Sequence, residues 1–115
     1  MMVTNPQGSS SVAELPKYSH SNTHHSLGKR PGRWCGWYMR KRLGVSPQKY
    51  NLARSWYSWG RTSGPRLGAV VVWPHHVGLI VGRNSKGQWL IESGNDGGKV
   101  RTRTWNLRGA SFRVA

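Results

Sequence analysis

Gly68-Ala69-Val70-Val71-Val72-Trp73-Pro74-His75-His76-Val77-Gly78-Leu79-Ile80-Val81-Gly82 is the stretch that decides the fold. Its two β-branched, apolar runs, residues 69–73 and 77–81, have the length of strands and the composition of buried ones. Downstream, Asn84-Ser85-Lys86-Gly87 is turn chemistry, and Trp89-Leu90-Ile91-Glu92 follows as a further strand. A second turn falls at Gly94-Asn95-Asp96-Gly97-Gly98. Residues 100–105 alternate Val and Thr with Arg, and residues 110–114 supply a last strand.

Upstream the period changes. Trp34, Trp37, Tyr38, Met39 and Leu43 recur at helical spacing, with Gly44 placed to cap the helix and Pro47 just beyond. Arg40, Lys41 and Arg42 fall in the last turn, where cations complement the helix dipole. Over residues 52–59, Leu52, Trp56 and Trp59 share one face of a second short helix, capped by Asn51 and ended by Gly60. Residues 61–68, with Ser-Gly-Pro, read as a loop. The expected architecture is therefore α+β, with two N-terminal helices packed on an antiparallel β-sheet meander.

Residues 1–32 are rich in Ser, Asn, Pro, Gly and His without an apolar period, and read as a disordered polar and basic tail. His20, His24 and His25 in that tail offer no more than loose metal binding. Residues 33–115 form the single domain. Seven tryptophans suit so small a core, since each can bury roughly 150–250 Å².

Eighteen Lys and Arg stand against three acids, Glu14, Glu92 and Asp96, for a formal charge of +15. Such a field predicts polyanionic partners: nucleic acid, an acidic membrane surface or an anionic cell-wall polymer. One cysteine rules out an internal disulfide framework. No segment approaches the roughly 18 apolar residues of a membrane span. The start, Met-Met-Val-Thr-Asn-Pro, lacks the basic-then-apolar layout of a secretory signal.

The lone cysteine also carries the chemistry. Cys35 falls in the first turn of the first helix, where unpaired backbone N–H groups and the dipole favour negative charge. Beside Arg33, such a position is expected to lower the thiol pKa and to receive an oxyanion. His76 opens the strand of residues 77–81, and Gly78 leaves room there for close approach of a backbone or a ligand. With a four-residue turn at 84–87, Arg83 faces Gln88, and running that register back sets His76 opposite Asn95. An asparagine there can hydrogen-bond the second imidazole nitrogen and fix its tautomer. A slip of one residue substitutes Asp96, while Glu92 points to the other face.

Trp34-Cys35-Gly36 opening a helix, Leu52-Ala53-Arg54-Ser55-Trp56 with Trp59-Gly60, residues 68–73, residues 76–82 and Gly94-Asn95 come in a telling order. In that order the segment 33–115 resembles the bacterial and phage CHAP-like (NlpC-related) cell-wall peptidases, which are papain-like. The resemblance implies a cysteine peptidase or amidase that hydrolyses amide bonds of peptidoglycan through a thioester, without a cofactor. It implies Cys35 as nucleophile, His76 as general base and acid, and Asn95 as orienting residue. A monomer at the cell envelope or outside the cell, held to peptidoglycan or another anionic envelope polymer, completes the expectation.

Plainer readings compete with each feature. A free cysteine is often a small buried hydrophobe, His75 suits a surface position, and Asn95 suits a glycine-rich turn. Zinc wants three or four ligands with paired spacing, which the chain lacks. Interleaved aromatic and basic residues make nucleic acid the second class of partner, though Trp34, Trp37, Trp56 and Trp59 fall on apolar faces. A catalytically inactive, cationic binding module is the remaining alternative.

Overall fold

The computed structural model describes residues 10–12 and 27–115. Most of the tail read over residues 1–32, with His20, His24 and His25, lies outside the described residues. Seven antiparallel strands form one sheet: β1 (Ser10–Val12), β2 (Arg61–Ser63), β3 (Val70–Trp73), β4 (His76–Asn84), β5 (Trp89–Ser93), β6 (Arg101–Arg103) and β7 (Ser111–Val114). Their order across the sheet is β2-β7-β3-β4-β5-β6, and β1 pairs with the far half of β4, Val12 facing Gly82.

This corrects the expected α+β papain-like arrangement of two N-terminal helices on a meander. The fold is dominated by its sheet, with one α-helix among the described residues, α1 (Cys35–Leu43), and two 3-10 helices, Gln48–Asn51 and Ala53–Ser58. Nor is the sheet a meander, because β7 inserts between β2 and β3. Strand β2 arises where a loop was expected. Its Arg-Thr-Ser sequence is an exposed edge without apolar alternation, so only its pairing with β7 (Arg61 facing Val114) makes it a strand.

The second helix fails for a periodic reason. Leu52, Trp56 and Trp59 match an α-helical face, but Ala53, Trp56 and Trp59 match the three-residue turn of a 3-10 helix equally well. The chain takes the second option and leaves Leu52 57% exposed. Three-residue bonds run from Ser55 N–H to the Leu52 carbonyl and from Trp59 N–H to the Trp56 carbonyl, each 3.1 Å. The Trp56 indole, fully buried, donates to the Tyr50 carbonyl at 2.8 Å, and Ser58 Oγ donates to the Ser55 carbonyl at 3.0 Å.

Helix α1 ends as its sequence asks: Gly44 takes the left-handed conformation at φ 71°, and its N–H bonds the Arg40 carbonyl. Arg40 itself does something else. Its guanidinium is buried, donating to the carbonyls of Leu27, Val45 and Ser46 and to Asn51 Oδ1, the last at 2.6 Å. Asn51, expected as a helix cap, is thus a partner of Arg40.

The apolar runs at β3 and β4 are buried on both faces of the sheet, which is why they read as continuous rather than alternating. Val70, Val72, Val77, Leu79 and Val81 pack toward Met39 of α1, Tyr50 and Trp56. Val71, Ile80, Ile91 and Val114 pack on the opposite side, under Trp73, Trp105 and Phe112. Strand β5 bridges to the helix as well, since Glu92 accepts hydrogen bonds from Tyr38 Oη and, at 3.0 Å, from Arg42 Nε.

Gly36 lets α1 lie this close. A Cβ there would stand 2.4 Å from the backbone oxygens of both Tyr50 and Asn51. We predict that Gly36→Ala lowers the unfolding free energy by about 1–3 kcal/mol, the usual cost of overpacking a tight site. Denaturant titration would check it, and an unchanged midpoint would show that the helix shifts freely.

Candidate active site

Trp73 faces His76 across a tight β3–β4 connection whose two linking residues are Pro74 and His75. This connection brings His75 and His76 beside the N-terminus of α1. Cys35 and Arg33 line a cleft there with His75, His76 and Asn95, and an adjoining lobe with His75, Asn51, Leu52, Ala53 and Arg54. The three residues expected from the sequence, Cys35, His76 and Asn95, therefore border one cleft. Cys35 belongs to the core cluster on the α1 side of the sheet, whereas His76 packs against Trp73 and Trp105 of the other cluster. They reach the cleft from opposite sides of the sheet's end.

The thiol is free and 5% exposed. Burial pushes its pKa up, outweighing the backbone N–H groups of Val77, Gly36 and Cys35 that pull it down. The expected thiolate at the helix start thus gives way to a resting thiol, because desolvation exceeds what the N–H groups of the helix start and of Val77 in β4 return. Those same N–H groups are where a developing oxyanion would find donors.

His76 is oriented by neighbours that the residue pattern did not single out. Its Nε2 lies 2.9 Å from Ser93 Oγ, which leaves Nδ1 as the nitrogen for proton exchange. Its ring stacks on Trp105, centroids 4.6 Å apart and planes 23° from parallel, and lies 5.9 Å from Trp73. Burial lowers the His76 pKa; Asp96 opposes that shift and Arg103 adds to it. Neutral imidazole is therefore the resting form at neutral pH.

Ser93 could have been found by the register argument that named Asn95. The β4–β5 turn is one residue longer than expected, so that Arg83 faces Trp89, and a bulge at Val81 cancels the difference. Below the bulge the expected register returns, with Ile80 facing Ile91 and Leu79 facing Glu92. Continued by one step it sets Ser93 across from Gly78, on the same face as His76 and diagonal to it. Gly78 makes the contact feasible, since a Cβ there would stand 3.3 Å from Ser93 Cβ and 2.5 Å from Ile91 Cγ2.

Asn95 itself follows the end of β5, in the left-handed conformation at φ 54°. Asp96, the alternative third member, is buried and held by Arg103 through Nε–Oδ2 at 2.7 Å and Nη2–Oδ1 at 3.0 Å. That ion pair keeps its carboxyl below the usual range. It acts on His76 through its field. Among the described residues, no group of three or more His, Cys, Asp or Glu side chains is placed to hold a metal ion.

These pKa directions generate a prediction. Alkylation of Cys35 by iodoacetamide should rise with pH about a midpoint above the ordinary thiol value of about 8.5, and His76→Ala should leave that midpoint in place. A midpoint well below 8.5 that moves in His76→Ala would instead reveal a thiolate–imidazolium pair. Comparison of the chain with family models, curated proteins and solved structures gave no match.

Proposed function

We propose that this chain is a cysteine-dependent amide hydrolase acting on bacterial cell-wall peptidoglycan, as an amidase or endopeptidase. The observation that carries this reading is the cleft at the start of α1, bordered jointly by Cys35, His76 and Asn95. The order of motifs resembling CHAP-like and NlpC-related enzymes supports the same roles.

The chemistry follows from the resting protonation states. As Cys35 Sγ attacks the amide carbonyl, its proton passes to His76 Nδ1 and the oxyanion forms near the backbone N–H groups at the helix start. His76 then gives that proton to the leaving amine as the C–N bond breaks, leaving a thioester. Water, deprotonated by His76, adds to the thioester carbonyl, and the thiol departs with the returned proton. Ser93 holds Nε2 throughout, and Asn95 at the rim orients the substrate.

Both described acids are engaged internally, Glu92 with Tyr38 and Arg42, Asp96 with Arg103. The remaining positive field would adsorb the enzyme to peptidoglycan and its anionic neighbours, at the cell envelope or outside the cell. No described helix is long and apolar enough to cross a membrane. A second reading, a catalytically inactive cationic module binding cell wall or nucleic acid, draws on the buried, protonated thiol.

Digestion of purified peptidoglycan, with fragments identified by mass, separates the two. Cys35→Ala is expected to abolish cleavage, and His76→Ala to cost about 10²–10⁴-fold in kcat. Asn95→Ala should cost less, because it orients rather than transfers a proton. Cleavage surviving in Cys35→Ala, or Asn95→Ala exceeding His76→Ala, would sink the mechanism. Adsorption to cell walls should weaken steeply by about 1 M salt, where the Debye length is about 3 Å; salt-independent adsorption would exclude the electrostatic mode.

A further inference from the structure

We infer that the lobe beside Cys35 bounded by Arg33 and Arg54 is a carboxylate-binding subsite for the acyl half of the substrate. The assignment of halves rests on the hydrolase reading; the anion site itself does not. His76 must protonate the leaving amine, so the leaving half lies over the His76–Asn95 side of the nucleophile. The acyl half then runs the other way, along Leu52, Ala53 and Arg54.

That lobe, about 200 Å³, is the size of an amino-acid side group rather than a polymer strand. Among the described residues no acid lines either part of the cleft. Most of the other arginines near the core are committed: Arg40 to carbonyls and Asn51, Arg42 to Glu92, Arg103 to Asp96, and Arg113 to Thr62 and the carbonyls of Trp59 and Gly60. Arg33 and Arg54 form no hydrogen bond or ion pair among the described residues, and both are exposed. Two uncommitted guanidiniums bordering the pocket of a buried nucleophile suit a planar carboxylate, which each can grip through paired N–H donors. Exposed Leu52, on the same wall, offers an apolar surface for the carbons between that carboxylate and the scissile carbonyl.

The single cysteine permits a test that needs no turnover. Iodoacetate carries a carboxylate and iodoacetamide does not, so the ratio of their alkylation rates at Cys35 reads the subsite directly. At low salt the ratio should fall about fivefold in Arg33→Gln and in Arg54→Gln, the factor expected for one pair of unit charges at 4 Å in water. Arg66→Gln, a charge change away from the cleft, should leave it unaltered. An unchanged ratio in the two cleft variants, or an equal fall in Arg66→Gln, would overturn the subsite. A second arm compares peptide amides identical except for aspartate or asparagine as the acyl residue. Preference for aspartate in kcat/KM, lost in Arg54→Gln, supports the assignment of halves, and equal cleavage of both overturns it. A ratio that falls while neither peptide is cut supports the anion site and counts against the hydrolase reading alone.

Discussion

The helical half of this protein is organised around one buried guanidinium. Arg40 carries its charge into the interior without a carboxylate partner among the described residues, where every acceptor it meets is a neutral oxygen. Those oxygens come from the segment before α1, the loop after it and the first 3-10 helix. Burial lowers the Arg40 pKa, yet a guanidinium still keeps its proton and so keeps all its donors. A lysine offers three donors from one point and could not span the same acceptors. The position of Cys35 at the start of α1 depends on this tie, because it fixes the far end of the same helix.

The glycines do the complementary work of letting elements approach. Gly36 admits the first 3-10 helix and Gly78 admits β5. At Gly94 a Cβ would stand 2.5 Å from Tyr38 Cβ and 2.9 Å from a ring carbon of Trp34. Each lies next to a residue of the cleft or two positions from one. The cleft is built where elements pack at contact distance, and side chains from several of them border it.

The parts of the structure that were legible in the sequence are those governed by local pattern. Helix α1, its glycine cap and the paired strands β3, β4 and β5 follow from apolar runs and turn residues. Cys35 and His76 stand out by their places at element ends and Asn95 by strand register, and the three border one cleft. Two classes of feature were not legible. The 3-10 conformation of residues 53–58 depends on which of two overlapping tryptophan periods the sheet accepts, and β7's insertion between β2 and β3 is a long-range choice without a local signal. The state of the thiol is not legible for a similar reason: helix-end electrostatics are visible in sequence, but desolvation is a tertiary quantity. Ser93 is signalled by the same register, on the diagonal from His76 rather than directly opposite it.

The stack on Trp105 has an electrostatic side. Arg103 lies 4.0 Å from the centre of that indole, and the His76 ring lies 4.6 Å from it. An indole π face attracts a cation, but two cations drawn to one ring repel each other. Protonation of His76 would set a second positive charge beside the first, so imidazolium and guanidinium are negatively coupled through a shared aromatic neighbour. Trp105 is in this sense a seat for one cation, already taken by Arg103, and Asp96 anchors the occupant. Burial is what keeps the imidazole neutral at rest, since Asp96 favours its protonation more than Arg103 opposes it.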